Sequence, residues 1–224
     1  MRLLFILVGL LLPQVLWAQF FNSFEPGSYR LVNSPDVHYQ GLLKLRGNDQ
    51  LLVEDADGKK TKLAPQEVTS FRLGAQKYVT AGGFRTTPGP FGRTVEQAFV
   101  EQLDSGQVNL MEYTYIITTG GSNGAVGSSE VKIYIIKAAD WTDAIALPGY
   151  AWTNRGEKLR DALRPYAINR PDLTELIDNN QLRDNNIPAF FHALNSGQPF
   201  PLTEAMEHKI KKEKERPIED PFRD

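Results

Sequence analysis

The amino-acid sequence predicts an α+β fold: a twisted antiparallel sheet or half-open β-barrel followed by a small cluster of short C-terminal helices. Three observations predict it. From Tyr29 to Thr87, short apolar runs alternate with turn residues. From Leu110 to Ile136, two period-two runs flank a glycine- and serine-rich stretch. After Lys137 the apolar spacing changes to that of helices.

The first strands are "YRLV", "YQGLLKLRG" and "QLLVEDADGKKTKL". Asp57-Gly58 between "QLLVE" and "KKTKL" is a hairpin signal. A calcium loop is excluded at "DADGKK", which lacks the third oxygen ligand before the glycine and the terminal glutamate. "EVTSFRL" sets Val68, Ser70 and Arg72 on one face and Thr69, Phe71 and Leu73 on the other, and "QKYVTA" continues the pattern. "GGFRTTPGPFGR" (82–93) is a loop by its prolines and glycines. "TVEQAFVEQLDSG" admits two readings. Val95, Phe99 and Leu103 recur at helical spacing behind a Thr94 cap, and "AFVEQL" is also strand-like, turning at Asp104-Ser105-Gly106. The helix is the favoured expectation.

"IITTGGSNGAVGSSEVKIYIIK" (116–137) poses the main functional question of the chain: phosphate cradle or hairpin turn. A P-loop needs Lys-Ser/Thr after its last glycine and a helix beginning there, so that backbone amides face the anion. Here Gly127 is followed by Ser128-Ser129-Glu130 and a β-branched run. A dinucleotide fingerprint fails for the same want of a helix. Met111, Tyr113, Tyr115 and Ile117 alternate with Leu110, Glu112, Thr114 and Ile116; Val131, Ile133 and Ile135 alternate with Lys132, Tyr134 and Ile136. The reading is a hairpin with a flexible tip.

Three short helices come next. Leu159, Ala162, Leu163 and Tyr166 share one face; Leu173, Leu176 and Ile177 share another behind Asn169 as cap and Pro171; Ile187, Phe190, Phe191 and Leu194 stand behind Asn186 as cap and Pro188 and end at Gly197. None persists alone in water. Their apolar faces are expected to form one cluster on the sheet containing Tyr113 and Val131.

The expected organisation is a signal peptide (1–18), a β-rich domain (19–140), a helical region packed on the sheet (141–200) and a charged, disordered tail (201–224). "MRLLFILVGLLLPQVLWAQ" has the basic, apolar and cleavage regions of a secretory signal, and its apolar run is shorter than the ~20 residues of a membrane span. Cleavage is expected after Ala18, giving a periplasmic or secreted protein with no later membrane span. The chain has 224 residues, 41% of them hydrophobic, which is enough for a core without disulfides. The absence of cysteine excludes disulfides, thiolate nucleophiles and thiolate metal sites. A net charge of -2 argues against nucleic-acid binding.

No catalytic, metal or cofactor motif is present. His38, His192 and His208 have no second histidine at i+3 or i+4, and no Gly-x-Ser-x-Gly elbow nominates a serine. Asp36, Glu54, Glu112, Asp140 and Asp143 supply carboxylates, but no pair stands out. Tyr113, Tyr115 and Tyr134 are the candidate partner-binding residues, because aromatics on a strand face stack on sugars or peptides; cross-strand packing is the alternative. Tyr113 and Tyr115 share a face, and the register decides whether Tyr134 joins them.

"LAPQEVTSFRLGAQKYV", "LDSGQVNLMEYTYI" and "LRPYAINRPDLTELIDNNQLRDNNIPAFFHALNSG" together resemble a group of uncharacterised exported bacterial proteins. In that group a V-x-S-F strand precedes a G-x-x-x-L hairpin and short helices close the chain; Val68, Ser70, Phe71, Gly106 and Leu110 stand at those positions. The resemblance implies export and this architecture, and carries no activity. The expected function is a non-enzymatic envelope or secreted module that binds a protein or glycan partner. The alternative is an exported hydrolase with an unrecognised carboxylate site.

Overall fold

The computed structural model describes residues 24–87, 92–120, 126–149 and 154–203. Residues 1–23, on which the expected signal peptide falls, the centre of the glycine-rich tip (121–125) and residues 204–224 of the expected tail lie outside them. The chain is mostly antiparallel sheet followed by three short helices, an α+β fold, and the sheet is open rather than closed into a barrel. Two compact units divide between Thr80 and Ala81.

The first unit contains β1 (Glu25–Leu31), β2 (Ser34–Arg46), β3 (Gln50–Glu54), β4 (Lys60–Leu63), β5 (Val68–Leu73) and β6 (Gln76–Ala81), in the spatial order β6-β5-β1-β2-β3-β4. Its apolar face results from period-two register: Leu43 opposes Val53 and Leu45 opposes Leu51. Leu43, Leu51, Val53 and Phe71 are buried, and Phe71 stacks on Tyr78 at 4.8 Å. The opposite face carries Ser28, Arg30, Ser70, Arg72 and Lys77, placed together by the pairs Ser28↔Arg72, Arg30↔Ser70 and Arg72↔Lys77. The register slips where Leu31 meets Val68, so Val68 is buried although it shares parity with exposed Arg72. At the Asp57-Gly58 hairpin the loop is longer than a two-residue turn, because Glu54 pairs with Lys60. The Asp55 carboxylate accepts from the amides of Asp57 and Lys59 (3.1 and 2.9 Å), and Gly58 takes a positive φ of 76°.

The second unit contains β7 (Phe84–Arg85), β8 (Thr94–Val95), β9 (Ala98–Asp104), β10 (Val108–Gly120), β11 (Val126–Ala138) and β12 (Ile145–Ala146), then α1 (Arg155–Ala167), α2 (Pro171–Asp178) and α3 (Ile187–Ser196). β7 pairs with β8, and β12-β11-β10-β9 run side by side. The segment 94–103, where a helix is favoured, is instead the short strand β8 followed after Glu96-Gln97 by β9, the strand reading that "AFVEQL" also admits. Phe99 and Leu103 of β9 are four residues apart, an even number that satisfies period two as well as a helix turn, while Val95 belongs to β8. Burial of the consecutive Ala98, Phe99 and Val100 selects the sheet.

β10 and β11 form the expected hairpin, paired from Val108↔Ala138 to Gly120↔Val126. Leu110, Glu112 and Thr114 lie opposite Ile136, Tyr134 and Lys132; Tyr113 and Tyr115 lie opposite Ile133 and Val131. The helices pack on the Leu110 and Ile136 face, with Leu159, Leu163, Leu173, Ile177, Phe190 and Phe191 in one core with them. The cluster therefore docks on the expected hairpin, but on the face away from Tyr113 and Val131.

Two helix starts differ in detail from the sequence reading. Arg170, not Asn169, is the N-cap residue of α2, because Pro171 occupies the first helical position and requires an extended residue before it. Its guanidinium grips Asp172 through both carboxylate oxygens (3.0 and 2.9 Å) and donates to the carbonyls of Ala193 and Gln198 (2.6 and 2.7 Å). α2 is thereby tied to the end of α3. Asn186 is the N-cap residue of α3, but its side chain makes no cap bond there. It accepts from the Arg183 amide (2.7 Å) and donates to the Gln181 carbonyl (3.0 Å). Gly197 ends α3 with a φ of 73°, as its position predicts.

Asn195, from α3, grips the β9–β10 turn. Its Nδ2 donates to Asp104 Oδ1 (2.6 Å) and to the Val108 carbonyl (2.9 Å), while its Oδ1 accepts from the Val108 amide (3.2 Å). Gly106 permits this approach, since a Cβ there would lie 2.6 Å from Asn195 Cγ. His192 pairs through Nδ1 with the second oxygen of Asp104 at 3.0 Å.

Candidate functional site

In the second unit a cleft of about 640 Å³ opens beside β11. Glu130, Val131, Lys132, Ile133 and Tyr134 all line it. Five consecutive strand residues alternate between two faces, and a cleft along the strand's edge reaches both. The remaining wall is built from Tyr115 and Ile117 of β10, from Leu147–Gly149 beyond β12, and from Leu159 and Ile187 of the helices.

Among the described residues, the backbone explains why this edge is open. β12 covers only Ile135 and Ile136 of β11. The Leu147 amide adds one bond to the Tyr134 carbonyl (2.8 Å), which fixes the outward direction of the β11 backbone at Tyr134. By strand alternation, Lys132, Glu130 and Ser128 turn their amides and carbonyls the same way. Among the described residues, no strand pairs with β11 there.

The register separates the three predicted tyrosines. Tyr113 and Tyr115 stack on one face at 5.9 Å, and Tyr113 meets Phe84 edge-on at 5.1 Å. Tyr134 lies on the other face, beside the helical core. Tyr115 and Tyr134 nevertheless reach the same cleft from its two sides, while Tyr113 does not line it. Burial pushes the Tyr115 phenol above its ordinary value, and Tyr113 adds to the rise. Burial also raises Tyr134, with Glu112 adding and Lys132 opposing. Both phenols are therefore neutral hydrogen-bond donors at neutral pH.

Sequence reasoning did not single out Lys132, Glu130, Asp184 or the 147–149 segment. Lys132 Nζ bonds Glu112 Oε1 at 2.8 Å, and the hydrogen bond and charge of Glu112 raise its pKa. Asp184 is held by Arg155. Of the three acids that line the cleft, Glu112 is thus paired with Lys132 and Asp184 with Arg155, and Glu130 is the third. Only the strand alternation was visible in advance, because the cleft needs a neighbour that stops short. The chemistry available is main-chain hydrogen bonding along an edge, apolar contact with Val131, Ile133, Leu147, Leu159 and Ile187, and the carboxylate of Glu130. Among the described residues no cluster of three or more metal-ligating side chains occurs. Comparison of the chain with protein-family models, with curated proteins and with solved structures gives no match.

Proposed function

We propose that this protein is an exported, non-enzymatic module of the cell envelope or secreted fraction, and that it binds an extended segment of a partner protein along β11. The edge of β11 that no described strand covers, within an apolar cleft, carries the reading. A sheet edge recognises a peptide by main-chain bonds, and flanking pockets take alternate side chains. The Glu130 carboxylate at the cleft favours a segment that carries a basic residue. Export is supported by the signal-like residues 1–18. Among the described residues no helix is long and apolar enough to cross a membrane.

The test is selection from a displayed library of random peptides, run beside an array of glycans. Peptides with alternating apolar residues should be enriched. Their binding should be lost in Glu130→Pro, which removes an outward amide without touching the core. Retained binding in that variant, or binding to glycans alone, would replace the edge with another surface. N-terminal sequencing of the native protein should find a chain that begins near Gln19; retention of Met1 would refute export by cleavage.

A further inference from the structure

The polar face of the first unit has a second recess, of about 220 Å³ and independent of the β11 cleft. Its lining residues are Ser28, Tyr29, Arg30, His38, Ser70, Phe71, Arg72 and Lys77. Three formally cationic residues and two serines line it, with no carboxylate among the lining residues. The chain as a whole is slightly acidic, at -2, so the concentration of positive charge is local.

Strand register imposes this grouping. Arg72 of β5 stands directly opposite Lys77 of β6, and Arg30 of β1 stands opposite Ser70. Like charges directly opposite each other destabilise a sheet. The Arg30 guanidinium donates to Nε2 of His38. Burial lowers the pKa of Lys77, and the charges of Arg72 and Arg30 lower it further. No carboxylate contributes to that shift. Asp36 is an exposed acid on β2, two residues from His38, and does not line the recess.

Arginine forks and a lysine are the side chains that recognise tetrahedral oxyanions, and serine hydroxyls complete such sites. We propose that this recess binds a tetrahedral oxyanion, the phosphate or sulfate group of a small anionic ligand, through Arg30, Arg72 and Lys77 with Ser28 and Ser70. An anion there replaces the Arg72–Lys77 repulsion with two attractive pairs. The recess has room for one such group and a short substituent.

The experiment titrates the full-length protein with inorganic phosphate, sodium sulfate and glycerol 3-phosphate, followed by amide NMR shifts and calorimetry at low ionic strength. At least one of the three should bind saturably, with shifts centred on Ser28, Arg30, Ser70, Arg72 and Lys77. Arg72→Gln and Lys77→Gln should each weaken binding about tenfold or more. Lys62→Gln, on β4 and outside the recess, should leave it within about twofold. The bound anion should also raise the Lys77 titration seen by nitrogen NMR of its side chain. Tighter binding of glycerol 3-phosphate than of phosphate identifies an ester-linked group as the source; equal or weaker binding identifies the free ion. No saturable binding of any of the three, or affinity unchanged in both Gln variants, overturns the proposal. Because the wild-type shifts and the Lys77 titration need no variant, a variant that fails to fold leaves the test decisive.

Discussion

Replacing Asn195 with alanine isolates the contact that joins α3 to the β9–β10 turn. Three hydrogen bonds disappear together: to Asp104 Oδ1, to the Val108 carbonyl and from the Val108 amide. Val108 is 1% exposed, so its freed backbone groups are poorly reached by water. Leaving a buried polar group without its partner costs about 1–3 kcal/mol, and a bond to a carboxylate contributes about 1.5–3 kcal/mol. The turn itself is exposed at Ser105 and Gly106, so solvent restores part of the loss. The expected cost is about 2–4 kcal/mol. Urea unfolding measures it, and hydrogen exchange at the Val108 amide should accelerate in parallel. Gly106→Ala supplies the internal check, since its Cβ collides with Asn195. It should cost less in the Asn195→Ala background than in the parent, a coupling that a double-mutant cycle reads directly. A loss below about 0.5 kcal/mol for Asn195→Ala, with Gly106→Ala strictly additive, would refute the clamp.

The same packing leads to three further outcomes. Phe190 is fully buried and meets Phe191 edge-on at 5.5 Å, so Phe190→Ala should cost about 3–5 kcal/mol in urea unfolding; a neutral result would mean that the helical core is not formed in solution. The hydrogen bonds from Arg170 hold the Asp172 carboxyl below the ordinary carboxylate range, ahead of the opposing effect of burial. A depressed carboxylate contributes stability above its unfolded value, about 3.9, and loses it as pH falls through the lower folded value. Asp172→Asn should therefore flatten the decline of stability below about pH 4, and identical acid profiles would sink that assignment. Joining Gly120 to Val126 by Asn-Gly in place of residues 121–125 should leave a folded protein by circular dichroism, because the β10–β11 ladder runs up to that pair; loss of the fold would make the tip a structural element.

Local patterns in the chain were enough to determine the α+β class, the long hairpin and the helix stop at Gly197. Period-two alternation and turn chemistry act within a few residues, so no distant partner is needed to read them. They were also enough to reject a phosphate loop at 116–137, because the chain after Gly127 continues as a strand and not as a helix. The segment at 94–103 was not decidable this way: a spacing of four fits both periods, and only burial against neighbours chose the strand. Asn195 was equally invisible, since its partners Asp104 and Val108 lie 91 and 87 residues away in the chain.

Both candidate sites belong to the tertiary level. Whether Tyr134 joins Tyr113 depends on register, and one residue of slip would exchange the faces. Among the described residues the edge of β11 is open because β12 is two residues long, a length that no pattern in "IALPG" announces. Arg30, Arg72 and Lys77 are ordinary charges in sequence, and pairing of β1 with β5 and of β5 with β6 brings them into one recess. Alternation tells each strand which residues share a face; only the pairing of strands tells which faces, and therefore which charges, meet.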